Sequence, residues 1–189
     1  MCGELELDID LYYDTLEVLQ NHKIKTTLNR PNVSGIARKT QWGRNIGTNK
    51  YDIVGFPMES QNFGLVYKRF MNNGTNKVKY EQPFQEGNNN SKYPAVYEQL
   101  KKLINHIDPD FTYTSITLNH NFKCLPHYDK KNKSPSIIIG LGDYTGGELI
   151  VEDCKIDIHF RPLIFNGSVC EHSTADFTGD RYTVIYYSI

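Results

Sequence analysis

Residues 111–189, FTYTSITLNHNFKCLPHYDKKNKSPSIIIGLGDYTGGELIVEDCKIDIHFRPLIFNGSVCEHSTADFTGDRYTVIYYSI, decide how this chain folds. Residues 114–119 and 155–160 alternate polar and apolar with a period of two. Residues 136–141, 147–151, 163–166 and 181–188 are further short runs rich in β-formers. Turn residues at 131–134, 143–146, 153–155 and 178–180 divide these runs. Many short strands at regular spacing predict an all-β sandwich or barrel.

Upstream the period changes. Val96, Leu100, Leu103, Ile104 and Ile107 form one apolar stripe at helical spacing, with Pro94 at its start and Asp108-Pro109 at its end. A second, acidic helix is expected from Asp10 to Asn21, carrying Leu11, Leu16 and Leu19. Residues 29–50 read as loop and short strand, and Asn72-Asn73-Gly74 and Gly87-Asn88-Asn89-Asn90 read as turns. The expectation is a mainly β core with N-terminal helices packed against it. It forms one domain over 1–189, with 1–110 as a helical and loop elaboration and 111–189 as the core.

The chain has 189 residues, 39% hydrophobic and 23% charged, and a net charge of −1. That is ordinary for a soluble globular protein and excludes a histone-like basic protein. No run reaches the roughly 18 apolar residues of a membrane span, so no membrane partner is expected. The neutrality is a cancellation between blocks. Residues 1–17 carry six acids and no base, 18–80 carry eleven bases and two acids, and 81–189 carry ten bases and fourteen acids. Two readings of the basic block stand: a surface for a polyanion, or a solvated face opposite an acidic one. The four cysteines have no paired CxxC spacing, and free thiols in the cytoplasm or nucleus are expected. Asn, Lys, Ile and Tyr make up 62 residues, an AT-rich codon bias that fits a protist or large DNA virus as the source.

The chemistry-bearing pattern is His127-Tyr128-Asp129, followed by His172. On an extended segment residues i and i+2 share a face, so one imidazole and one carboxylate can reach one metal ion. Two histidines and one carboxylate leave open positions, as in non-haem Fe(II) oxygenases. Arg181 begins the last strand and Thr183 shares its face, a fork and a further donor for one carboxylate. Thr117 and Asn119 lie on the polar face of the strand that leads to His127, and Asn119 could donate to a second carboxylate of the same ligand.

In the order H-x-D…H…R-x-T, residues 112–188 resemble the Fe(II)- and 2-oxoglutarate-dependent dioxygenase superfamily, whose fold is a double-stranded β-helix or jelly roll. The resemblance implies that His127, Asp129 and His172 bind Fe(II). It also implies that Arg181 and Thr183 hold the distal carboxylate of 2-oxoglutarate, with Asn119 at its metal-proximal end. With O₂ as the other co-substrate, the implied activity couples 2-oxoglutarate decarboxylation to hydroxylation of a C–H bond. His127-Tyr128-Asp129-Lys130-Lys131-Asn132 is similar to the TET/JBP group, which oxidises methyl groups of DNA bases, and there Asn132 would contact the base. Asn132 also reads as a plain turn residue. The overall pattern also resembles small oxygenases of algae and giant viruses. The chain lacks the Cys-rich zinc region and long insert of TET enzymes.

For a nucleic-acid substrate, Trp42 and Arg44 in the basic block are candidate contacts. Tyr51, Phe63 and Tyr67 are interleaved aromatics for stacking, and Lys123, Lys130, Lys131 and Lys133 add charge around the H-x-D. The alternatives are a protein or peptide substrate, as for prolyl hydroxylases; a metal-binding jelly roll without oxygenase activity; and a nucleic-acid binding module that is not an enzyme. His22, His106, His120 and His159 read as surface or structural, and Cys124 and Cys170 as buried apolar positions.

Overall fold

The computed structural model describes residues 3–4, 8–24, 38–39, 45–46, 59–71 and 78–189. The elements are β1 (Gly3–Glu4), α1 (Ile9–Gln20), β2 (Arg38–Lys39), β3 (Asn45–Ile46), β4 (Glu59–Met71), β5 (Val78–Glu86), α2 (Asn88–Lys92) and α3 (Pro94–Ile107). They continue as β6 (Ser115–His120), β7 (Ser136–Gly146), β8 (Leu149–Val151), β9 (Cys154–Ile156), β10 (Leu163–Phe165), β11 (His172–Thr174) and β12 (Phe177–Tyr187). Seven strands form an antiparallel sheet in the order β1-β10-β7-β12-β6-β4-β5. Three more form a smaller sheet, β11-β8-β9.

The large sheet is covered on both faces, which explains why β7 reads as an almost unbroken apolar run. Ile137, Ile139 and Leu141 point outward into one core with Leu11 and Leu19 of α1 and Leu100 and Leu103 of α3. Ile138 points inward, to a second core with Leu149 and Val151 of the small sheet. Each fully buried aliphatic side chain contributes roughly 1.5–3 kcal/mol. β12 obeys the same parity: Tyr182, Val184 and Tyr186 join the helix-side core, and Tyr186 donates its hydroxyl to the Leu100 carbonyl of α3 (2.7 Å). β6 sends Ile116 and Leu118 outward.

Both expected helices form. Asp8 caps α1 by accepting from the backbone N–H groups of Asp10 (2.9 Å) and Leu11 (3.2 Å). α3 starts at Pro94, where a missing N–H costs nothing, and buries the stripe read from its spacing.

Four expectations are corrected. Residues 143–146 and 178–180, read as turns, are paired strand, with Asp143 opposite Asp180 and Thr145 opposite Thr178. Their Asp, Thr and Gly content serves a twisted ladder rather than a reversal, and Gly179 takes φ +99, which side chains rarely adopt. Of the expected strand 155–160, only Lys155 and Ile156 belong to a strand, because β9 begins inside the expected turn at Cys154. Asn88–Asn90 open a short helix rather than a turn. The largest departure is β4, a 13-residue strand in the part expected to be helix and loop, which enters the large sheet beside β6. The expected turn at 72–74 lies outside the described residues, and so does the segment 29–50 apart from β2 and β3.

Candidate metal centre and cosubstrate pocket

The two sheets enclose a cavity of about 290 Å³. Its floor is the inward face of the large sheet, and the register makes that face a set of cross-strand rows. Asn62 lies opposite Thr117, which lies opposite Ile185, which lies opposite Ile138. Asn119 lies opposite Thr183, which lies opposite Gly140. Asn121 accepts from the backbone N–H of Arg181 (2.9 Å), and Arg181 lies opposite Gly142. The polar alternation of β6 therefore lines a pocket at Thr117 and Asn119 instead of facing solvent.

His127, Asp129 and His172 converge at one end. Nε2 of His127 is 3.7 Å from Oδ1 of Asp129, and Nε2 of His172 is 3.5 Å from Oδ2. One donor atom from each residue lies within 4.8 Å of the others. The backbone builds this cluster. His127 and His172 exchange two N–H to carbonyl bonds of 3.0 Å, and Asp129 donates its N–H to the Gly167 carbonyl (2.8 Å). Nδ1–H of His127 donates to the Leu125 carbonyl (2.7 Å), and Nδ1–H of His172 donates to the Cys170 carbonyl (3.1 Å). A carbonyl only accepts, so each ring carries a proton on Nδ1 and turns Nε2 toward Asp129. Gly167 leaves room for this: a Cβ there would lie 2.9 Å from Cε1 of His172. The set suits a divalent transition metal with open positions.

Arg181 lines the same cavity and is 2% exposed. Its guanidinium sits between the rings of Tyr144 (5.4 Å) and Phe177 (5.2 Å). It donates to the carbonyls of Gly147 (2.9 Å) and Phe122 (3.5 Å), while Nε has no hydrogen-bond partner among the described residues. No carboxylate among the described residues is within ion-pair distance of it. Burial pushes this group below its ordinary value, which the Tyr144 hydroxyl, Cys124 thiol and Glu148 carboxylate only partly offset. A buried cation without a counter-charge calls for an anion. Thr183 and Asn119 stand beside it, with Asn119 Nδ2 3.4 Å from Thr183 Oγ1 and Asn119 Oδ1 unpartnered. The lone charge and its unused Nε donor fit a carboxylate of a small anion.

Asn132 is half-buried on the cavity wall. It is also a turn residue: its N–H donates to the Asp129 carbonyl (2.9 Å) and Nδ2 to Ser136 Oγ (3.3 Å). Tyr67 lines the cavity, but Phe63 does not. Phe63 is fully buried on the helix side, stacked on Tyr97 (5.9 Å), so its reading as a base-stacking aromatic is withdrawn. Trp42, Arg44 and Tyr51 lie outside the described residues. His120 is held between Glu59 (2.9 Å) and Asp180 (2.5 Å) on the outer side of β6, and His159 bonds the Gly142 carbonyl (2.8 Å). Cys124 is half-buried and lines the cavity. Sequence reading missed Asn62, Leu65 and Val66, because β4 itself was missed. No helix among the described residues is long and apolar enough to cross a membrane.

No known sequence family matches the chain, and no curated protein matches it either. Solved structures do. NgTET1 in complex with 5mC DNA aligns at TM-score 0.59 with 14% identity, over 99% of this chain and 71% of that one. OsALKBH1 aligns at TM-score 0.51 with 12% identity, over 100% of this chain and 96% of that one. With its sheet order and its paired inward faces, the chain has a double-stranded β-helix core, the fold it shares with these two structures.

Proposed function

We propose that this chain is an Fe(II)- and 2-oxoglutarate-dependent dioxygenase that hydroxylates a C–H bond, and that the bond belongs to a nucleobase of DNA or RNA. One observation carries the reading: a buried arginine with no carboxylate partner among the described residues shares a cavity with a His–Asp–His cluster. His127, Asp129 and His172 would hold the iron through Nε2, carboxylate and Nε2. Arg181 and Thr183 would take the distal carboxylate of 2-oxoglutarate, Nε supplying the unused donor, and Asn119 would meet its other end. When bound, iron and 2-oxoglutarate supply the oxidation, in which O₂ and 2-oxoglutarate give succinate, CO₂ and one hydroxyl on the substrate. The chain positions these groups, holds both imidazoles by Nδ1 with Nε2 facing the cluster, and excludes water with the apolar wall of Ile138, Leu149 and Phe165. The nucleobase reading draws support from neutral hydrogen-bonding groups on the remaining wall, Asn62, Thr117 and Asn132.

Purified chain with Fe(II) and 2-oxoglutarate should release succinate, and His127→Ala should abolish that. Metal binding without turnover would favour a non-oxygenase jelly roll. Mass spectrometry of DNA, RNA and peptide libraries should find one added oxygen on a base. Added oxygen on a peptide alone would replace the nucleobase with the peptide substrate of a prolyl-type hydroxylase.

A further inference from the structure

The turn after Asp129 carries lysines at 130, 131 and 133, all exposed. Each ammonium lies over a different aromatic ring. Lys130 is 5.9 Å from the Tyr128 centroid, Lys131 is 4.9 Å from Tyr67, and Lys133 is 5.3 Å from Phe84. Tyr67 of β4 and Phe84 of β5 meet edge to face at 5.1 Å. Lys131 and Tyr67 border the cavity, and Asn132 between the two lysines turns inward to it. No acid among the described residues forms an ion pair with these three lysines. The mouth of the cavity thus bears a strip in which cations and aromatic rings alternate, with no ion pair to the cations among the described residues.

An exposed cation–aromatic contact is worth roughly 0.5–1 kcal/mol. That is enough to order a lysine and little enough to exchange. A phosphate can draw the ammonium away and leave the ring face free for a base, whose stacking is worth roughly 1–3 kcal/mol. An acidic peptide would engage the lysines but has no flat group for the rings. The cavity behind the strip, about 290 Å³, sits at the lower end of the roughly 300–1,000 Å³ typical of small-molecule pockets. It admits one base, not a base pair. A duplex would first have to give up a stacked, paired base, whereas a single strand presents one without that cost.

We infer that Tyr67, Phe84 and Tyr128 with Lys130, Lys131 and Lys133 bind a single-stranded polynucleotide and lead one base into the cavity. The inference rests on the oxygenase reading only for what happens to that base afterwards, because binding to the strip needs neither iron nor 2-oxoglutarate.

The test is fluorescence anisotropy of the full chain with labelled oligothymidylate, without added metal or 2-oxoglutarate. Binding should weaken with salt, and Lys130→Gln/Lys131→Gln/Lys133→Gln should flatten the slope of log affinity against log salt by about 2. Tyr67→Leu and Phe84→Leu should each weaken binding by about 5- to 100-fold and leave the slope unchanged. An unaltered slope in the triple variant would overturn the inference. So would tighter binding of a duplex of the same length, or competition by polyglutamate as strong as by unlabelled oligothymidylate. Should a ring variant misfold, the wild-type chain can be photo-crosslinked to bromouridine-substituted DNA. Crosslinks should fall in the peptides that carry Tyr67, Phe84 or Tyr128, and crosslinks confined elsewhere would overturn it too. Binding without succinate release would remove the oxygenase reading and keep the strip; succinate release without binding would remove the strip alone.

Discussion

His127 and His172 are 45 residues apart in sequence, yet they exchange both backbone hydrogen bonds at 3.0 Å each, and their ring centroids lie 4.3 Å apart. The cluster is therefore positioned by main chain, not by the packing of its side chains. Removing either ring should delete the metal site and keep its frame. We expect His127→Ala and His172→Ala each to lose stoichiometric Co(II) binding, followed by the metal's visible absorption. Without metal, each should lose only about 0.5–1.5 kcal/mol of stability, the net worth of one side-chain hydrogen bond to a carbonyl. Co(II) affinity unchanged in both variants would remove the metal assignment.

Arg181 supplies the second test. Its buried charge lacks a carboxylate partner among the described residues, so an anionic ligand should stabilise the fold strongly. Saturating 2-oxoglutarate at about 100 times its Kd stabilises by about 2.7 kcal/mol through linkage alone. The wild-type chain should melt several degrees higher with 2-oxoglutarate, and Arg181→Met should melt at the same temperature with and without it. A shift of wild-type size in Arg181→Met would mean that the ligand sits elsewhere.

Gly147 cradles that arginine. It adopts φ +72, and a Cβ there would lie 2.6 Å from Arg181 Nε. Gly147→Ala should therefore cost about 1–3 kcal/mol from backbone strain. It should also weaken 2-oxoglutarate binding more than tenfold, because the guanidinium must move. Isothermal titration of 2-oxoglutarate would read this, and an unchanged affinity would show that the arginine tolerates displacement.

The core strands and the His–Asp–His cluster were legible in the sequence for one reason. Extended backbone has a period of two, which places His127 beside Asp129 outside any strand and Arg181 beside Thr183 within β12. Strand β4 was not legible, because its inward residues face a cavity: polar Asn62 stands where alternation calls for an apolar residue. Phe63 shows the converse, an aromatic that looks available in sequence and lies fully buried against Tyr97. The pairing of Lys131 with Tyr67 and of Lys133 with Phe84 joins residues about 50–65 positions apart, and no local pattern announces it.

The tyrosines of the helix-side core set the alkaline limit of the fold. Burial pushes the Tyr182 hydroxyl up from 10.0 to about 12, and that of Tyr186, inside the core, well above its ordinary value. Tyr12, Tyr113 and Tyr144 are raised by the same cause. In the unfolded chain each hydroxyl loses its proton near its ordinary value. Between that pH and the folded value only the unfolded state gains from ionisation. Stability is therefore complete below pH 10 and falls as pH rises toward 12, by up to about 1.4 kcal/mol per pH unit for each such tyrosine. Tyrosinate absorbance and circular dichroism should then change together in one steep transition. Tyr182→Phe should lessen the slope of stability against pH in that range. A gradual rise in tyrosinate absorbance with the fold intact would show that these hydroxyls reach water in the native state.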